Sequence, residues 1–138
     1  MNKRLLLLLF ITIHLVSCRA IYWPTQKLQY KNGKILEKTT TDISDKTLNL
    51  LKGEVIDIET KEKLAFIQIE LSRPIISYKI LADSNGFFQF KNVIPGNYKV
   101  IFHYIGYNPL SIDSLDIENG KEIKIRAGLY PYMRIFVE

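Results

Sequence analysis

Cysteine occurs once in this chain, at Cys18, and histidine twice, at His14 and His103. One cysteine forms no disulfide within the chain. So few histidines and thiols leave nothing to build a His/Cys zinc cluster. A Ser-His-Asp triad would have to draw on His103, with Ser111 and Asp113 close by in sequence but on a neighbouring strand; no nucleophile elbow is present. No run of Lys or Arg marks a phosphate-binding stripe. The 19 basic and 14 acidic side chains give +5, which falls to +3 without Lys3 and Arg4, too mild for a nucleic-acid footprint. Long apolar runs are also missing. The longest, Leu5 to Val16, is broken by Thr12 and His14 and covers about a dozen residues, whereas a membrane-spanning helix needs about 20.

What is present begins with that short run. Lys3 and Arg4 precede it and "LVSC", Leu15 to Cys18, ends it, the layout of a secretory leader over residues 1–17. The ending resembles the lipobox of bacterial lipoproteins. The resemblance implies that the Cys18 thiol is acylated and becomes the first residue after cleavage. Arg19 stands where an aspartate favours inner-membrane retention, and no acidic cluster follows, so the expected location is the outer membrane, facing the periplasm, with surface exposure the alternative. Several acyl chains, at about 0.8 kcal/mol per buried CH₂, make such an anchor effectively permanent. Tyr22 and Trp23 suit the membrane interface nearby.

Residues 18–49 read as the lipidated cysteine and a polar, Thr-rich tether. Asn32-Gly33 is a hairpin cue within it, and "DISDKTLNLL" suggests a short helix capped by Asp42. From residue 50 the pattern changes to period two. Ile67, Ile69 and Leu71 share one strand face, as do Phe88 and Phe90, and as do Tyr98, Val100, Phe102 and Tyr104. Seven such stretches separated by turn chemistry predict an all-β, seven-stranded antiparallel sandwich over residues 50–129.

The stretch "DSNGFFQFKNVIPGNYKV" concentrates polar groups that could be a site or a pair of turns. Asp83 and Asn85 are turn formers, and Gly86 and Gly96 fall where the chain reverses. The predicted role of Asp83, Gly86, Gly96 and Gly106 is therefore structural. Asp116 and Glu118 share a face that Asp113 does not, which reads as a solvated strand rather than a calcium site.

"GEVIDIETKEKLAFIQIEL", the Asp83–Gly86–Phe88 turn, the Gly96–Tyr98 pair and the Gly106–Tyr107 corner together resemble the carboxypeptidase regulatory-like family. The resemblance implies a transthyretin-like (prealbumin-like) sandwich used for folding, spacing or docking rather than catalysis. Lys61 stands where the family pattern has a glycine, and Ile67 where it often has alanine. The tail, residues 130–138, carries Tyr130, Tyr132 and Phe136 as an extra strand or a binding surface. No cofactor, metal or nucleic acid is expected. The expected function is a non-enzymatic, membrane-anchored module with a protein partner; the alternative is a ligand- or carbohydrate-binding lipoprotein serving nutrient uptake.

Overall fold

The computed structural model describes residues 31–132. These form eight strands: β1 (Lys34–Asp42), β2 (Asn49–Asp57), β3 (Gln68–Arg73), β4 (Ile76–Leu81), β5 (Phe87–Lys91), β6 (Gly96–His103), β7 (Leu110–Ile117) and β8 (Lys121–Leu129). They make two four-stranded sheets, in the orders β1-β8-β2-β5 and β4-β3-β6-β7. The core lies between them. Tyr98, Val100 and Phe102 of β6 are fully buried, as are Ile67, Ile69 and Leu71 in and just before β3. Phe88 and Phe90 of β5 point inward, and Phe88 stacks edge-on against Phe102 with ring centres 5.6 Å apart. The expected β-sandwich is therefore present, with the inward faces that alternation assigns.

Four expectations need correction. The sandwich has eight strands, because β1 lies inside the segment read as tether and pairs along its length with β8. No hairpin partner is needed after Gly33: β8 supplies the ladder. The sandwich is not wholly antiparallel, because β2 and β8 run parallel. A short turn joins β1 to β2, so these strands run in opposite directions, and β8 between them can oppose only one. The helix expected from Asp42 is instead a turn, in which Asp45 Oδ1 accepts the Thr47 N–H at 2.9 Å and its hydroxyl at 2.6 Å. Ile67, expected on the same strand as Ile69 and Leu71, precedes β3, next to Phe66, which adopts φ 57° outside any strand.

The topology gives the sandwich two unlike ends. One gathers the loops over 58–67, 82–86 and 104–109 with the incoming chain at 31–33 and the outgoing chain at 130–132; it is called the tyrosine end below. The far end holds the turns at 43–48, 74–75, 92–95 and 118–120. At the far end the buried Asn49 closes the structure: its side chain donates to Val93 O at 2.8 Å and accepts the Val93 N–H at 2.9 Å. The leader, Cys18, Arg19, Tyr22, Trp23 and Phe136 lie outside the described residues.

Candidate interaction surface

In the Asp83–Gly86 turn one carboxylate oxygen of Asp83 is occupied by backbone. Asp83 Oδ1 accepts the N–H groups of Asn85 and Phe87, at 2.8 and 2.9 Å. Gly86 sits at φ 70°, and a Cβ there would meet Val55 O at 2.9 Å and Leu64 O at 3.1 Å, so only glycine lets this turn lie against β2. Gly96 leaves room for the Arg73 guanidinium, which donates to Pro95 O at 3.2 Å and lies 5.1 Å from the Tyr98 ring centre. Gly106 accepts the Tyr132 N–H at 2.8 Å. Asp83, Gly86 and Gly106 lie in turns, and Gly96 opens β6 directly after one.

The tyrosine end is built on two buried polar residues. Asp57, at the end of β2, accepts the N–H groups of Glu59 and Thr60 on Oδ1 and the Tyr107 hydroxyl on Oδ2 at 2.7 Å. Burial alone would raise its carboxyl, but the Tyr107 hydroxyl and those backbone donors outweigh it and hold it below the usual value. Burial, reinforced by the Asp57 carboxylate, pushes Tyr107 up to about 12. Asn108 ties both chain ends together: its side chain donates to Lys31 O at 3.1 Å and its N–H to Tyr130 O at 2.9 Å. Tyr104 packs on Tyr107 at 5.4 Å, and Lys31 Nζ lies 5.4 Å from the Tyr130 ring centre. Of the predicted tail surface, Tyr130 is half-buried and Tyr132 exposed, and Pro131 bridges to Tyr107. Around this end Phe66, Leu81 and Ile105 stand exposed.

The residues considered for chemistry are not brought together. His103 is exposed on the outer face of β6, and no hydrogen bond joins it to Ser111 or Asp113. Ser111 donates to Asp113 at 3.2 Å, and Lys99 pairs with Asp113 at 3.3 Å, holding that carboxyl below its usual value. Asp116 accepts from Asn97. Among the described residues no group of three His, Cys, Asp or Glu is placed to hold a metal.

Two surfaces remain. On the outer face of the β1-β8-β2-β5 sheet, Glu37, Glu54, Phe87, Lys124 and Arg126 line a shallow groove of about 230 Å³. Arg126 and Lys63 pair with Glu54 at 2.9 and 3.3 Å, leaving Glu37, Phe87 and Lys124 its open elements. The other surface is the β4 edge. Its register with β3 runs unbroken from Gln68–Leu81 to Arg73–Ile76. Its inward side chains Ile76, Tyr78 and Ile80 are only half-covered where the sheet ends.

A carboxypeptidase regulatory-like family model, described as the CarboxypepD_reg-like domain, matches residues 51–132. The chain belongs to this family. The match begins inside β2 and spans the seven strands β2–β8, so β1 stands N-terminal to the family core. No curated protein matches the chain. Among solved structures, a candidate carbohydrate-binding protein from Bacteroides uniformis is similar at 16% identity and TM-score 0.52, over 62% of this chain and 43% of that one. A 3-chlorocatechol 1,2-dioxygenase from Rhodococcus opacus is similar at 15% identity and TM-score 0.50, over 65% and 61%. The chain thus spans less than two thirds of either, and at these identities the likeness is one of fold.

The family pattern explains one residue that sequence reading could only flag. Lys61, in the glycine position, adopts φ 66°, the left-handed region that favours glycine. Its Nζ reaches back to Ile58 O at 2.6 Å. Asp57, Asn108 and the β4 edge, by contrast, were not singled out in the sequence. A buried Asp at the end of an apolar strand was the available signal for the first; the other two depend on chain ends and sheet order that only the folded topology defines.

Proposed function

We propose that this CarboxypepD_reg-like chain is a non-enzymatic module, anchored in the outer membrane through acylated Cys18 and facing the periplasm, that docks a protein partner by strand addition to β4. The observation that carries the docking is the state of that edge. Sheet edges are normally guarded by bulges, charged side chains, Pro or shortness, and β4 has the fewest of these. β7 has a register shift against β6 and carries Asp113 and Asp116. β1 has a shift at Leu36 and four charged residues among nine. β5 is five residues long with its inward Phe88 and Phe90 already covered. β4 has no shift, and its one charge, Lys79, points outward to Glu70 at 3.3 Å. An added strand would satisfy its free backbone groups and cover Ile76, Tyr78 and Ile80.

An inward charge tests this. Ile76→Lys on β4 should abolish recovery of the partner with the acylated chain from membranes. Ile112→Lys, at an equally half-buried position on the β7 edge, should leave it intact. Loss with both, or with neither, contradicts docking at β4. The anchor is tested by metabolic labelling with a fatty-acid analogue, which should mark the wild type and not Cys18→Ala.

A second reading rests on the groove beside Phe87. An exposed aromatic ring beside Lys124 and Glu37 is the kind of surface that takes a sugar, and the B. uniformis neighbour is described in such terms. Retention on an immobilised polysaccharide that Phe87→Ala and Lys124→Ala both remove would favour this reading over strand addition.

A further inference from the structure

We infer that the tyrosine end of the sandwich is seated on the membrane surface, with Phe66, Leu81, Ile105 and Tyr132 in the lipid interface; the inference rests on acylation of Cys18. Phe66 is 62% exposed, Leu81 63% and Ile105 91%, and Tyr132 stands beside Gly106. Gln68 pairs with Leu81 on one side and His103 on the other, and the Phe66 N–H donates to Asp83 O, so Phe66, Leu81 and the loop carrying Ile105 cap the same end of one sheet. Phe66 also holds φ 57°, a costly conformation for a bulky residue, with its ring in the open. Large apolar side chains in water at a strained backbone position mark a surface that is covered in use.

The chain itself says what covers it. Asn108 fixes Lys31 and Tyr130 at this end, so the segment leading to Cys18 arrives here. Cys18 and Lys31 are thirteen residues apart, and covalent geometry limits that span to about 45 Å. A nine-residue strand is about 30 Å long, the depth of the sandwich. Bringing the far end to the bilayer would draw the segment back along that whole depth, two thirds of its reach. Seating the tyrosine end needs none of it. The far end does expose Leu48, Ile75 and Ile94, so apolar exposure alone does not choose between the ends; the position of Lys31 does. Tyrosines with half-buried rings suit the headgroup level; Lys31, Lys61 and Lys63 are balanced there by Glu59, Glu62 and Asp83, so charge gives no preference. β4 would then rise from the bilayer with Leu81 at its foot, leaving its edge open to a partner.

Ile105 and Ile75, 91% and 93% exposed, sit at opposite ends and serve as probes. Acylation consumes the chain's one cysteine, so Ile105→Cys and Ile75→Cys each give a unique thiol for a nitroxide label in the full acylated chain, reconstituted in vesicles of phosphatidylethanolamine and phosphatidylglycerol. The label at 105 should collide several-fold less with a water-soluble nickel chelate than the label at 75, and more with lipid-soluble oxygen. Introducing Phe66→Asp should return the 105 label toward water. Equal nickel access at both sites, or protection at 75 alone, overturns the seating while leaving the anchor intact. Shielding of 105 from both reagents in native membranes, absent in vesicles, assigns the end to a protein and overturns it too. If Cys18 proves free and labelled, the anchor reading fails and the seating with it.

Discussion

The Tyr107 hydroxyl donates a 2.7 Å hydrogen bond to Oδ2 of Asp57, fifty residues earlier, and joins the end of β2 to the loop between β6 and β7. The bond crosses from one sheet to the other at the tyrosine end. It should therefore contribute to the stability of the surface and not only to one turn. Hydrogen bonds to a charged, buried partner contribute about 1.5–3 kcal/mol. Tyr107→Phe should cost an amount in that range in urea unfolding. Asp57→Ala should cost more, because it also strands the Glu59 and Thr60 N–H groups. In the double variant the losses should fall short of additive by about 1 kcal/mol or more; full additivity would show that the bond is not formed.

The same pair sets two pH windows. Asp57 has its folded pKa below the ordinary 3.8, so its contribution is complete above that value and is lost as pH falls through the lower folded value. Tyr107 is raised from 10.0 to about 12, so its contribution is complete below pH 10 and is lost as pH climbs from there toward 12. Two units correspond to at most about 3 kcal/mol. The stability advantage of wild type over Tyr107→Phe should be flat through neutral pH and narrow in both windows. An advantage that grows above pH 10 has the wrong sign and would exclude this origin.

The division of the β5 aromatics is equally testable. Phe88 is 2% exposed and packs on Phe90 and Phe102; Phe87 is 40% exposed. Phe88→Ala should cost about 3–5 kcal/mol and Phe87→Ala about 1 kcal/mol or less. The reverse order would mean that the strand faces are inverted.

These inward faces were legible because burial imposes period two on Ile67, Ile69 and Leu71, on Phe88 and Phe90, and on Tyr98, Val100 and Phe102. β1 was not legible for the converse reason. In "KILEKTTTD" only Ile35 is half-buried and every other residue is exposed, so its pairing with β8 is held by backbone bonds that leave no trace in side-chain pattern. Ile67 kept the parity of Ile69 but not its strand, since the positive φ of Phe66 beside it is invisible to hydrophobic periodicity. Tyr130 and Tyr132, expected as an extra strand or a binding surface, lie at the tyrosine end. Its foundations, Asp57 and Asn108, bind partners 50 and 77 residues away, separations that no local pattern encodes.

Two backbone positions carry opposite expectations. Gly53 of β2 lies so close to β8 that a Cβ would overlap the Ile125 carbonyl. Gly53→Ala should therefore force the parallel pair apart and cost more than 2 kcal/mol, beyond most single substitutions. Lys61→Gly should instead relieve the left-handed strain at φ 66° and raise the unfolding midpoint, by about 0.5–1 kcal/mol after the entropy glycine adds to the unfolded chain. A midpoint lowered by Lys61→Gly would mean that the Nζ contact with Ile58 O outweighs the strain.

Docking at β4 is tested most directly by photo-crosslinking in intact cells from one exposed residue on each of the four edges: Thr39 on β1, Lys79 on β4, Gln89 on β5 and Asp113 on β7. Strand addition predicts one discrete adduct from Lys79, mapping to an extended segment of the partner, and none from the other three. An adduct from β1, β5 or β7 with none from β4 would contradict it.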